Sequence, residues 1–94
     1  MAEQSAEPKL IAFEGGMDLA SIQETHEQIS QAISNGTNVS IDCSAVEFFD
    51  GATLQLLLAA NNALKEEGNS LRLTDVSKDV RDSLHLAGAL ELVS

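Results

Sequence analysis

The sequence predicts a single small α/β domain, with a mostly parallel sheet of about three or four strands and three or more helices. Its 94 residues suit one domain with one core. Strand-like apolar segments alternate with segments of helical periodicity, in the order β-α-β-α-β-α. Strands joined by helices of this length run parallel, because the helix returns the chain to the same end of the sheet. Residues 1–8 are interpreted as a flexible tail or short edge strand, and residues 9–94 as the domain.

The first half of the chain predicts a strand, a helix and a second strand. Residues 9–14 form a brief apolar run, and the glycines at 15–16 predict a turn after it. Asp18 is a good N-cap for an amphipathic helix that ends at Gly36, a residue suited to the C-cap. Residues 38–43 alternate apolar and polar side chains, which predicts the second strand.

The second half repeats this order with a longer apolar helix. Asp50 is the N-cap of a predicted helix that continues to Glu67, and residues 71–76 predict a third strand. Ser77 then caps a final helix. The residues expected to share the inner face of that helix are Val80, Leu84 and Ala87.

The helix after Asp50 has more apolar surface than one core contact requires. Its apolar arc covers roughly 200° of the helical wheel, against the ~100° that suffices for a surface helix. Either the helix is covered on two sides, or part of this face binds another protein. The side chains expected to face the core are Leu54, Leu57, Leu58 and Leu64. Those expected to form an exposed contact are Leu56, Ala60 and, less strongly, Ala59. Asn61 falls inside the arc as either a hydrogen-bonded interior residue or a contact.

Composition excludes several classes of function. The net charge is −10 with only five Lys and Arg residues, which argues against nucleic-acid binding and against anionic membrane surfaces. No apolar run approaches the ~20 residues that span a bilayer, so no membrane insertion is expected. No secretion signal is visible at the start of the sequence, and the cytoplasm is the expected location.

The residues that carry catalytic chemistry are sparse. No phosphate-binding glycine loop or nucleophile elbow is present, and one cysteine with two histidines gives no zinc spacing, so we expect no cofactor and no metal. Cys43 and His26 are expected in or beside the core, and His85 at the surface. Asp42 and Asp50 are expected at one edge of the sheet, where two carboxylates serve either acid–base chemistry or, more commonly, capping. We therefore expect no catalytic residues and no enzymatic activity.

Several segments together resemble the STAS domain family, which includes bacterial anti-sigma-factor antagonists and cytosolic domains of anion transporters. The segment Val46-Glu-Phe-Phe-Asp50, followed by an apolar helix, is similar to the family's Val-x-Phe-Ile-Asp-Ser-Ser-Gly-Leu signature. The other similar segments are residues 16–18, 41–44, 71–76 and 84–90. The resemblance implies a protein-binding module whose partner is an anti-sigma factor that is also a serine kinase, and whose switch is phosphorylation of a serine at the start of the second helix.

The sequence departs from the family pattern at that serine. Ala52 occupies the position, so no phosphate is expected there. Thr53 is a candidate phosphosite only by proximity, the alternative being a hydroxyl that bonds to the local backbone. The family also carries an extra strand near the start, for which only residues 1–8 remain here.

These observations predict a regulatory module that docks a protein partner through the turn and helix starting at Asp50. The residues expected to bind the partner are Asp50, Gly51, Ala52, Thr53, Leu56 and Ala60. The resemblance allows two other partners: the ATPase of an ABC-type lipid transporter, or a protein of a chemotaxis-type signalling system. An enzyme that uses Asp42 and Asp50 is the remaining alternative.

Overall fold

The computed structural model describes residues 8–93, and within them it has a three-stranded parallel sheet, three α-helices and a short 3-10 helix. The elements are β1 (Lys9–Met17), α1 (Leu19–Asn35), β2 (Val39–Phe49), α2 (Gly51–Lys65), β3 (Leu71–Thr74), α3 (Lys78–Leu86) and the 3-10 helix Leu90–Leu92. The strand order is β1-β2-β3. The predicted α/β class and parallel sheet are confirmed. The interpretation of the N-terminal tail falls almost wholly outside the described residues, since only Pro8 is included, and Pro8 is exposed.

Both of the first two strands are longer than predicted, and the predicted turn at residues 15–16 is wrong. β1 continues through Gly15 and Gly16 to Met17, beside the extended end of β2. The register shifts twice along this pair, so the ladder bends without ending. A Cβ on Gly16 would lie 2.3 Å from two ring atoms of Phe48, so this glycine makes room for the ring that covers it.

The helix ends agree well with the caps that the sequence predicts. Asp18 accepts a hydrogen bond from the N–H of Ser21 at 2.9 Å and begins α1, which ends at Gly36 with a φ of 64°. Ser77 likewise accepts from the N–H of Val80 at 3.2 Å to begin α3. α2 ends at Lys65, earlier than predicted.

The core fills the space between the helices and one face of the sheet. In β2 the buried side chains are Val39, Ile41, Cys43, Val46 and Phe49. α1 and α2 pack against each other. In α3, Val80 and Leu84 are buried as predicted, whereas Ala87 is exposed because the helix ends before it. On the other face of the sheet Leu10 and Asp42 are exposed, and no described helix covers them.

Asn61 connects the C-terminal segment to the core. Of the two roles that the sequence allows, the structure shows the hydrogen-bonded interior residue. Its Oδ1 accepts from the N–H of Leu71 at 2.9 Å, and its Nδ2 donates to Glu91 at 3.3 Å. Leu92 is fully buried, and Val93 makes a parallel bridge with Leu73. Asn61 therefore joins α2, the start of β3 and the C-terminal segment.

Candidate functional site

The first helices begin side by side at the carboxyl edge of the sheet. Met17 and Phe49 are partners in the parallel register, so Asp18 and Asp50 follow adjacent strands, which lie ~4.8 Å apart in sheets. The N–H of Asp50 donates to the carbonyl oxygen of Met17 at 3.0 Å. Two capping carboxylates are thereby held next to each other.

Hydrogen bonding keeps both carboxylates ionised. Asp50 accepts from the N–H of Thr53 at 2.8 Å, and this bond, with the nearby Thr53 hydroxyl, lowers the pKa of Asp50 below its usual value. The negative charge of neighbouring Asp18 acts in the opposite direction on the pKa of Asp50. The N–H and side chain of Ser21 lower the pKa of Asp18 in the same way. The edge therefore carries two negative charges at neutral pH.

Three of the four residues in the predicted docking turn are accessible, and one is not. Gly51 and Ala52 are exposed and Asp50 is half-buried, whereas Thr53 has 0% of its surface exposed. Its hydroxyl has no hydrogen-bond partner with acceptable geometry among residues 8–93. The expectation that Thr53 is a phosphosite or a direct partner contact conflicts with this burial, because a kinase or a partner cannot reach the hydroxyl in this conformation.

Beyond the turn, α1 and α2 form an apolar groove of about 290 Å³. We call it the α1–α2 groove, and its lining residues are His26, Ile29, Ser30, Ile33, Leu56, Ala59 and Ala60. Leu56 is half-buried and Ala59 is exposed, as a contact surface requires. Ala60 is only 7% exposed, so it forms the groove floor and not the protruding contact that the wheel predicts.

The α1 side of the groove was not predicted from the sequence. His26, expected in or beside the core, is exposed and lines the groove. Leu19, in the first turn of α1, is 44% exposed, and Phe48, the residue before the end of β2, is 50% exposed. The sequence feature that could have indicated this wall is the width of the apolar stripe on α1. The residues in the middle of the stripe face the sheet, whereas Leu19 and His26 at its edges are exposed to solvent.

Asp42 and Asp50 are not at one edge, contrary to the expectation for an acid–base pair. Because β2 continues to Phe49, Asp42 and Asp50 are eight positions apart, which corresponds to ~25 Å of extended chain. Asp42 instead accepts from the N–H of Ser44 at 2.9 Å. The pKa of the Cys43 thiol is raised to about 12. Burial is the largest cause, followed by the negative charge of Asp42 and then by that of Asp75. This environment gives neither a paired acid and base nor a reactive thiolate.

A larger cavity, about 540 Å³, lies at the C-terminal end of α2 and is lined by both polar and apolar residues. Its charged side chains already have partners within the protein: Arg72 donates to the backbone carbonyl of Glu91 at 2.8 Å, and the Glu91 carboxylate lies 3.9 Å from Lys65. We assign this cluster to fastening the C-terminal segment. Within residues 8–93 no three His, Cys, Asp or Glu side chains are grouped to hold a metal ion. In the same part of the chain, no helix is long and apolar enough to cross a membrane.

Comparison with known families assigns the domain. A family model described as "Mlab, STAS domain" matches residues 1–94. The chain belongs to the STAS domain family. Comparison with curated proteins finds no significant match.

A solved structure supports the same fold. The anti-sigma factor antagonist SpoIIAA in its unphosphorylated form is similar to this STAS domain with a TM-score of 0.68. The similarity covers 88% of this chain and 79% of the SpoIIAA chain, at 18% sequence identity. At 18% identity, this similarity shows a shared fold only.

Proposed function

We propose that this STAS domain is a non-catalytic regulatory module of the anti-sigma-factor antagonist type, which docks a partner protein through the start of α2 and the α1–α2 groove. The observation that carries the proposal is an apolar groove whose wall, at Leu56 and Ala59, is open to solvent and continues into the exposed turn at Ala52. Positions 52, 56 and 59 are spaced by four and three residues, so they form one stripe along α2. An open apolar stripe of this kind favours a protein interface.

We do not propose that phosphorylation at position 52, where the family has a serine, regulates docking. Ala52 has no hydroxyl, and the Thr53 hydroxyl is buried. The module is therefore proposed to dock its partner without a phosphorylation switch on this turn. The proposed partner is an anti-sigma factor with a serine kinase-like fold, in the cytoplasm; neither nucleic acid, membrane insertion nor a cofactor is involved.

The test is affinity capture from a lysate of the native cell, comparing the wild type with Leu56→Asp. Placing a carboxylate against an apolar partner surface costs several kcal/mol, and ~3 kcal/mol weakens binding more than a hundredfold. Ala59→Asp is the second variant, since the Ala59 side chain is exposed and its substitution spares the core. Asn62→Asp is the matched control, which adds the same charge at an exposed α2 position outside the groove.

Loss of the partner with both groove variants is the expected result, with unchanged thermal stability for Ala59→Asp. Leu56 packs partly against the core, so Leu56→Asp is expected to lower the Tm without unfolding the domain. Capture that is equal for Leu56→Asp, Ala59→Asp and the control would remove α2 from the interface. Recovery of a transporter ATPase or a chemotaxis-type signalling protein would keep the docking surface but change the partner. If no protein is captured and a metabolite co-purifies instead, the docking function is wrong.

A further inference from the structure

We infer that the partner element in the α1–α2 groove is an amphipathic helix that carries Lys or Arg side chains at its end nearest Asp18 and Asp50. The inference rests on the proposed docking function and adds the chemistry of the occupant. It draws on the shape of the groove and on the distribution of charge around it.

The walls of the groove favour a helix over an extended segment. Both walls are helices, whose backbone N–H and C=O groups are bonded within each helix. An extended partner segment would therefore lie on apolar side chains without backbone partners, which is costly. A helix satisfies its own backbone and presents apolar side chains at intervals of three and four residues.

The dimensions of the groove also fit a helix. The two helices that form the walls, α1 with 17 residues and α2 with 15, are ~22–25 Å long at 1.5 Å per residue, and the groove lies along their middle parts. The small side chains Ser30 and Ala59 stand on opposite walls, which lets a third helix approach closely. A partner helix of three to four turns reaches from this part of the groove to the two capping aspartates.

The negative charge near the groove favours a basic partner helix. Asp18 and Asp50 lie side by side beyond one end of the groove, at the starts of α1 and α2, and neither the groove lining nor α1 contains a Lys or Arg. The only Lys or Arg of α2 is Lys65, its last residue. An acidic end of this kind attracts a basic partner and repels an acidic one. A second copy of this chain, with its own net charge of −10, fits poorly for the same reason.

The first experiment maps the occupant directly. A photo-reactive residue, p-benzoylphenylalanine, replaces Ser30 on the α1 wall or Ala59 on the α2 wall of the full-length chain. Ser83, an exposed residue of α3, is the reference position. After irradiation in native lysate, mass spectrometry identifies the partner peptide joined at each position. We expect Ser30 and Ala59 to reach the same partner segment, with apolar residues at helical spacing and Lys or Arg at one end, and Ser83 not to reach it.

The second experiment tests the charge with a synthetic peptide of the cross-linked segment. Asp18→Asn with Asp50→Asn removes both charges and keeps good N-caps, since asparagine caps as well as aspartate. We expect this double variant to bind the peptide about tenfold more weakly at low salt, with a smaller difference at high salt because salt screens exposed charges. Glu67→Gln, which removes an exposed charge beyond α2, is the control and should change affinity less than twofold.

The outcomes separate this inference from the docking function. A cross-linked segment that is extended or acidic, or a peptide whose affinity does not respond to the double variant, overturns the inference. Capture of a partner that Ala52→Glu weakens, with no cross-link at either groove position, also overturns it and leaves docking through the start of α2 standing. Absence of any captured partner and of any cross-link refutes both.

Discussion

Thr53→Val should stabilise the domain. The hydroxyl of Thr53 is fully buried and has no well-oriented hydrogen-bond partner among the described residues, although it lies near the Asp50 carboxylate. Burying an unpaired hydroxyl costs ~1–3 kcal/mol. Valine has nearly the same shape and helix propensity, so it removes this cost without leaving a cavity. Because the carboxylate offsets part of the cost, we expect a gain of ~1 kcal/mol.

The assay is thermal and urea unfolding followed by circular dichroism. A gain of 1 kcal/mol raises Tm by ~4–8 °C in a domain of this size. Thr25→Val is the matched control on α1: the Thr25 hydroxyl donates to the carbonyl of Ile22 at 3.0 Å, so valine loses a bond there. We expect the control to be neutral or destabilised by at most ~1 kcal/mol.

A lower Tm for Thr53→Val would refute the reasoning. It would mean that the hydroxyl donates to Asp50 as part of the cap, so that valine breaks a bond. Partner capture supplies a second readout. Because the side chain is buried, the valine variant should capture the partner as well as the wild type does.

The remaining predictions concern reactivity, acid stability and the exposed turn. Cys43, with its pKa raised to about 12 by burial, should not react with a disulfide reagent at pH 8 until urea unfolds the domain; fast reaction of the native protein would contradict its burial. The lowered pKa of Asp50 adds stability above the usual value of 3.8 that is lost as the pH falls through the folded-state pKa, so Asp50→Asn should flatten the acid limb of a stability–pH curve. Ala52→Glu should weaken partner capture at least tenfold with unchanged Tm, since residue 52 is exposed. Full capture by this variant would place the turn outside the interface.

The sequence predicted the helix starts well because N-capping is local chemistry. Asp18, Asp50 and Ser77 each bond to the N–H three residues later, and this pattern is visible in the sequence itself. The strand ends are different, because they depend on tertiary contacts. Gly15 and Gly16 read as a turn, yet the strand continues through them since Phe48 packs over Gly16.

The second strand shows the same limit. Up to Cys43, every second residue of β2 is buried. After Cys43 the next buried residues are Val46 and Phe49, three positions apart, because the register with β1 shifts twice. A period-two pattern therefore predicted only the first part of the strand. The misplacement of Asp42 followed from that shortened strand, since it set the carboxyl edge of the sheet in the wrong place.

The candidate site was predicted on one wall and missed on the other for a physical reason. The width of an apolar arc shows that a helix has more apolar surface than one core contact requires, but it does not say which element lies against each part of the arc. Leu56 stands out because α2 is apolar well beyond its core face, whereas His26 looks like a member of the α1 core stripe. Only the packing of α1 beside α2 brings them to one groove.

The alanine at position 52 affects both the proposed absence of a phosphate switch and the shape of the proposed docking surface. A serine there would place a hydroxyl, and when modified a dianion, one turn before Leu56 on the same stripe. Alanine instead leaves a small, exposed apolar side chain one turn before Leu56, next to the Asp50 cap. The negative charge at this edge is then fixed in Asp18 and Asp50, which stay ionised through their backbone hydrogen bonds. The proposed docking surface would then suit a basic partner with an apolar face, and its occupancy would be set by the partner's concentration.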